Sequence, residues 1–254
     1  MTFMQDQPTP FEASWILWQD DDYLAAWKPN HLLVHKTHLD FYTKDSLRDR
    51  IQRETGEAWE PCHRLDKPTS GIVLFAKGKE VLHDVQKQFI EMSIKKRYLA
   101  LMRGFVPECV ENERPLRAEN ELEEKSAHTI FEQLASIELP WSVGKYPHSR
   151  YSLVNVYPQT GRYHQIRQHA AQLRHPIIGD HRHGDVKHNS YFKTHFTPGA
   201  LYLHAYQLEF KHHNGITKSI SAPLPYFWTS FFEGAGWIDR FDFKFNPAGF
   251  LSPE

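Results

Sequence analysis

The chain has 254 residues, 40% hydrophobic and 14% aromatic, with two cysteines and a net charge of −1 from 30 basic and 31 acidic residues. That length and apolar content exclude a disordered chain and allow one large domain or two small ones around a sizeable core. No apolar run approaches a membrane span, the N-terminus lacks the basic start and apolar stretch of a signal peptide, and the near-neutral balance argues weakly against a nucleic-acid partner, so a cytoplasmic protein with reduced thiols is the default expectation.

In chain order, residues 1–12 read as a loose arm. Trp15–Trp18 and Tyr23–Trp27 read as strands split by the Asp20-Asp21-Asp22 turn; Lys28-Pro29 breaks the second and Leu32–Val34 resumes it. Ser46–Glu54 is a polar helix ending at Gly56. Ile72–Ala76 is short, apolar and β-branched, a buried strand. Between 79 and 93, apolar residues at Val81, Leu82, Val85, Phe89, Ile90 and Met92 keep helical spacing. Lys96–Met102 is a strand ending at Gly104.

A charged, proline-broken excursion spans 107–127 and carries seven glutamates between Glu108 and Glu124. Arg150–Tyr157 alternates as a strand does, Pro158–Gly161 is a turn, and His164–Leu173 is a short helix stopped by His175-Pro176. Ile177–Asp180 opens an irregular, histidine-rich loop. Leu201–Phe210 turns at Asn214-Gly215 and returns through Thr217–Ser221, a hairpin pattern. Residues 225–238 form an aromatic helix-like segment and 239–254 a tail. Many strands with a few interspersed helices give an α+β fold with a largely antiparallel mixed sheet, expected as one domain over 13–238.

Three stretches carry chemistry. His63-Arg-Leu-Asp-Lys-Pro-Thr-Ser-Gly71 sets the Asp66 carboxylate beside the Arg64 guanidinium on a loop pinned to the following strand, a common place to hold a reactive group. Asp66 could equally cap the Pro68–Gly71 turn with Arg64 as its surface partner. Gly161–His169 leads a turn glycine into a helix bearing Arg162 and Arg167; one could hold a phosphate while the other reaches inward, or both could be a solvated basic face. Lys95–Tyr98 opens a strand on which Tyr98 is either a core aromatic or a platform for an unpaired base. The His31/His35, His181/His183 and His164/His169 pairs lack the partners a zinc site needs, so no metal is expected. Ser70 is not in a nucleophile elbow, and no glycine-rich phosphate loop occurs.

Together these stretches resemble the RluA-type pseudouridine synthases. The nonapeptide matches the family's catalytic motif, Lys96-Arg-Tyr98 its tyrosine motif, and Gly161–His169, His175–Asp180 and Leu203-His-Ala205 its third block, in order over about residues 15–225. Trp27-Lys-Pro-Asn-His31 departs from the family's usual Asn-Lys-Pro segment. The resemblance implies the pseudouridine synthase catalytic fold, without the optional S4 domain and with a cleft across the sheet. It implies an isomerase that needs no cofactor and acts as a monomer on RNA. Asp66 would be the nucleophile, Arg167 its pairing arginine, and Tyr98 the stacking ring that could take the C5 proton. Arg64 would fill the gap left by a flipped base, and His63, Thr69, Arg97, Arg162 and His164 would join it in RNA binding. Ser149–Gly161 and His175–Asn189, with His183-Gly-Asp185, are most similar to members acting on tRNA uridine 65. Ribosomal RNA is the alternative substrate, since the motifs serve a shared reaction. Rival classes are a non-catalytic RNA-binding or RNA-chaperone protein and a histidine-based metallohydrolase.

Overall fold

A computed structural model describes residues 11–36, 45–117 and 123–237, together with the backbone of 244–246 and 250–252. Residues 1–10 of the expected arm, and Glu119 and Glu121 of the acidic run, lie outside the described residues.

One ten-stranded sheet runs from β1 (Ile16–Gln19) to β10 (Thr217–Ser221). Between them come β2 (Tyr23–Lys28), β3 (Glu60–Pro61), β4 (Ser70–Ala76), β5 (Lys95–Arg103), β6 (Cys109–Asn112), β7 (Thr129–Leu139), β8 (Ser149–Pro158) and β9 (Leu203–Lys211). The main spatial order is β1-β2-β4-β9-β5-β8-β7-β6, with β3 paired to β4 and β10 to β9. Every pairing is antiparallel except β4–β9, where Ser70 faces His204 and Gly71 faces Ala205. This parallel seam joins the two halves of the sheet. A separate two-stranded pair, β11 (Lys244–Asn246) and β12 (Phe250–Ser252), lies within the expected tail.

Alternation along the strands sends neighbours to opposite faces. On β4, Val73 and Phe75 join Leu24 and Ala26 in one cluster, while Ile72, Leu74 and Ala76 join Tyr23 and Ala25 in another. On β5, Leu99 and Leu101 pack with the aromatic helix α5 (Tyr226–Gly234), whereas Ala100 and Met102 pack with Ile166 and Ala170 of α3 (Gln165–Gln172). Helix α1 (Leu47–Thr55) starts at the Ser46 side chain, which accepts from the Asp49 N–H, and ends at Gly56 in the left-handed region. Helix α2 (Lys79–Ile90) packs Val85 beneath the β4 half.

Gly71 shows what the seam demands. Its φ is +123°, and a Cβ there would sit 2.2 Å from the Ala205 carbonyl oxygen. Backbone cannot give way as a side-chain tip can, so Gly71→Ala should lose more than about 3 kcal/mol of stability. A urea melt compared with the parent protein measures that loss.

The structure departs from the sequence pattern in four places. The longest strand, β7, occupies 129–139, which gave no strand signal, and β6 lies inside the expected excursion. Residues 186–195 of the expected irregular loop form helix α4 (Val186–His195), started by the Asp185 carboxylate accepting from the Lys187 and His188 N–H groups. Leu32 and Val34 are buried, but the segment 32–34 is not a strand. The hairpin at Asn214-Gly215 is present, with Gly215 at φ +87° and Thr217 opposite Lys211.

Candidate active site

The loop before β4 lies beside the seam, and it is fastened from below by the Lys28–Asn30 segment. Buried Lys28 directs its Nζ at three carbonyl oxygens, Pro29 at 2.9 Å, Leu32 at 2.7 Å and Lys67 at 3.0 Å. Burial pulls this ammonium down to about 7. Asn30 Nδ2 donates to the Pro68 carbonyl at 2.6 Å. The Thr69 N–H closes the turn onto the Asp66 carbonyl at 3.0 Å. Two consecutive loop carbonyls are therefore held by side chains, and the Asp66 carboxylate is presented from a fixed backbone.

That carboxylate, a quarter exposed, meets Arg167 from α3: Nη1 donates to Asp66 Oδ2 at 2.9 Å. The rest of the guanidinium is committed elsewhere. Nε and Nη2 donate to the two oxygens of buried Asp180, both at 2.7 Å. Asp180 Oδ1 also accepts the backbone N–H groups of Arg182 and His183. Burial would raise the Asp180 carboxyl, but Arg167 and these N–H groups hold it below the ordinary carboxylate range. Arg167 therefore reaches Asp66 as a rigid fork anchored on a second acid.

His164 completes the rim. It precedes α3 in the left-handed region (φ 51°), stacks on Tyr163 at 3.8 Å between ring centroids, and shares a 3.0 Å hydrogen bond from Nδ1 to His183 Nε2. Its Nε2 is 3.7 Å from Asp66 Oδ2. Partial burial pulls its imidazole down to about 4, so it is neutral near pH 7.

Tyr98 lies on β5 across the cleft, packed against clusters on both sides of it. Burial, helped by the Asp66 charge, pushes its phenol above the usual tyrosine range. The open cleft has a volume of about 820 Å³ and is lined by Asp66, Tyr98, Arg167 and His164, with Arg64 and Arg162 among its exposed residues. A cleft of that size accepts a nucleotide-sized ligand.

The remaining candidates divide. Buried Thr69 lines the cleft with an Oγ1 that has no hydrogen-bond partner among the described residues. Arg162 lines it too, with its Nε donating to the Ser126 carbonyl at 2.9 Å. His63 lines the cleft as well, but its ring is committed to the fold: Nε2 accepts the Leu74 N–H at 3.0 Å and the ring packs on Phe89. Burial and Lys96 pull His63 down to about 3, so it is an uncharged acceptor. Arg97 is not brought into the cleft; it projects from the other face of β5, where its charge lies near the Tyr206 hydroxyl. Strand alternation carries this signal, because the residues sharing a face with Tyr98 are Lys96 and Ala100. Sequence reasoning assigned no role to Lys28, Asn30, Asp180 or Lys96. Asp180 and His183 stood within quoted blocks, but nothing local announces their partners.

Comparison with known proteins adds to this geometry. The model of a family described as RNA pseudouridylate synthase matches residues 22–172. The chain is similar to the tRNA pseudouridine synthase C of Vibrio vulnificus (strain CMCP6), with 37% identity over 233 residues, 87% of this chain and 95% of that protein. To its namesake in Haemophilus ducreyi (strain 35000HP / ATCC 700724) it is 39% identical over 236 residues, 87% of this chain and 96% of that protein. Among solved structures, human RNA Pseudouridylate Synthase Domain Containing 4 superposes with a TM-score of 0.67 at 25% identity, covering 87% of this chain and 92% of that one. Human RNA Pseudouridylate Synthase Domain Containing 1 gives 0.65 at 25% identity, with 83% of each chain covered.

Proposed function

The chain belongs to the RNA pseudouridylate synthase family, and we propose that it isomerises one uridine of tRNA, that at position 65, with Asp66 as the nucleophile. The observation that carries this reading is the Asp66 carboxylate, held by Arg167 at 2.9 Å in an open cleft that Tyr98 also lines. The tRNA substrate rests on the relatives' names and their coverage of nearly the whole chain.

The chemistry follows from what an isomerisation requires. The N1–C1′ bond breaks, the uracil turns in the pocket, a C5–C1′ bond forms, the C5 proton leaves to restore the ring, and N1 takes up a proton, so that the product has the composition of the substrate. Nothing is oxidised and no external group is transferred, so no cofactor is needed. Asp66 engages the sugar or the base while the fragments are separate. Arg167 holds that carboxylate in place and aimed. Tyr98 stacks on the uracil. Extruding a nucleotide costs a few kcal/mol, and a planar guanidinium stacked in the vacated space offsets part of it. Exposed Arg64, at the cleft beside Asp66, takes that part. Arg162, Thr69 and His164 contact the RNA around the target, and the enzyme works as a cytoplasmic monomer.

Pseudouridine mapping of total RNA from cells with and without the protein tests the reading. A signal lost from tRNA position 65 is the expected result. A signal lost from ribosomal RNA, with tRNA intact, overturns the substrate.

A further inference from the structure

We propose that Lys96 is the phosphate-binding residue of the cleft, holding a phosphodiester of the nucleotide whose base stacks on Tyr98. This deepens the proposed function and rests on its placement of the uracil.

The three cations at the start of β5 have different fates. Lys95 pairs with Glu209 at 2.7 Å. Arg97 lies on the far face, its charge near Tyr206. Lys96 is turned into the cleft and half-buried, and among the described residues its Nζ makes one long hydrogen bond, to the Thr160 carbonyl at 3.4 Å. No carboxylate of the described residues pairs with it. A desolvated ammonium lacking an anion is unfavourable unless something else supplies the charge; burial has already pulled Lys96 down to about 8. The neighbouring side chains offer none: His63 is neutral, and Arg64 and Arg162 are cations on the same cleft. The missing anion is external.

Spacing identifies it. Lys96 and Tyr98 point to one face two residues apart, which separates their side chains by ~7 Å along the strand. A nucleotide places its sugar between base and phosphate. With the base on Tyr98, the phosphate falls over Lys96 beside the turn at Thr160-Gly161. Gly161 leaves that side open, since a Cβ there would meet nothing within 4 Å.

The test is a double-perturbation cycle. A short RNA stem-loop carrying the target uridine is made in three forms: unmodified, with a neutral methylphosphonate 5′ to the uridine, and with one 3′ to it. Each is titrated against the parent protein, Lys96→Met and Lys96→Arg. Lys96→Met keeps an apolar stem of similar length, and a thermal melt checks its fold. On unmodified RNA it should bind about 10-fold more weakly, and the slope of log affinity against log salt should fall by about 1, with Lys96→Arg restoring both. One of the two methylphosphonates should weaken the parent protein and leave Lys96→Met unaffected; which one does so names the phosphate. If both modifications weaken Lys96→Met as much as the parent, Lys96 touches no phosphate and the proposal fails, as it does if Lys96→Met binds normally. If the parent protein forms no pseudouridine in the unmodified RNA, the proposed function fails instead, a result separable from the coupling.

Discussion

Asp66→Asn is expected to abolish pseudouridine formation, by at least about 10⁴-fold, while leaving the protein folded and able to hold RNA. The substitution keeps the shape of the side chain and an oxygen for Arg167 Nη1 to reach. It removes the negative charge and the nucleophilic oxygen pair. Because Asp66 is a quarter exposed and Arg167 stays anchored on Asp180 through Nε and Nη2, the stability change should stay within about 1 kcal/mol. The cations of the cleft are untouched, so affinity for tRNA should persist. Retained turnover in Asp66→Asn would refute the nucleophile. Loss of binding together with turnover would mean that the carboxylate organises the cleft rather than reacting in it.

The site was legible where its residues carry their own local signal and hidden where the fold supplies the partner. The nonapeptide could be read because a turn cluster and a buried strand follow Asp66 directly, and the strand begins at Ser70 once the seam with β9 is included. The hairpin at Asn214-Gly215 could be read because its turn chemistry is local. Strand β7 could not: Glu132, Gln133, Leu134 and Ala135 favour helix, and a register shift between Gln133 and Ala135 interrupts the alternation that marks a strand. Helix α4 has the mixed composition Val-Lys-His-Asn-Ser-Tyr-Phe-Lys-Thr-His with one buried residue, Phe192, so no apolar face announces it. Its one clear signal was Asp185 at the cap. Arg97 and Lys96 were distinguishable by parity with Tyr98. Asp180 was not, because its role depends on a guanidinium that α3 delivers from outside its own loop.

Arg167→Met follows from that hidden partner and should cost both activity and fold. Removing the guanidinium leaves Asp180, whose side chain is 1% exposed, as a buried carboxylate with backbone donors alone. Breaking a buried pair from one side typically costs about 3–5 kcal/mol. The contribution of Asp180 to the pH dependence should also reverse in sign. In the parent protein the Asp180 carboxyl is held below 3.8, so its contribution is present above that value and lost as pH falls through the lower folded value. In Arg167→Met, burial without the cation raises the folded value, so stability is retained in acid and lost as pH rises. Urea melts at pH 5 and pH 7 should therefore show a smaller deficit of the variant relative to the parent at pH 5 than at pH 7; the neutral His63 and His164 lower the stability of both proteins in acid, so the difference between the two isolates Asp180. Adding Asp180→Leu removes the stranded charge and should return most of the stability without returning activity, because Asp66 still lacks its cation. A double variant as unstable as Arg167→Met would place the cost in lost packing of the arginine stem. Recovery of turnover in the double variant would show that Asp66 reacts without help, and the fork from α3 would then serve the fold rather than the reaction.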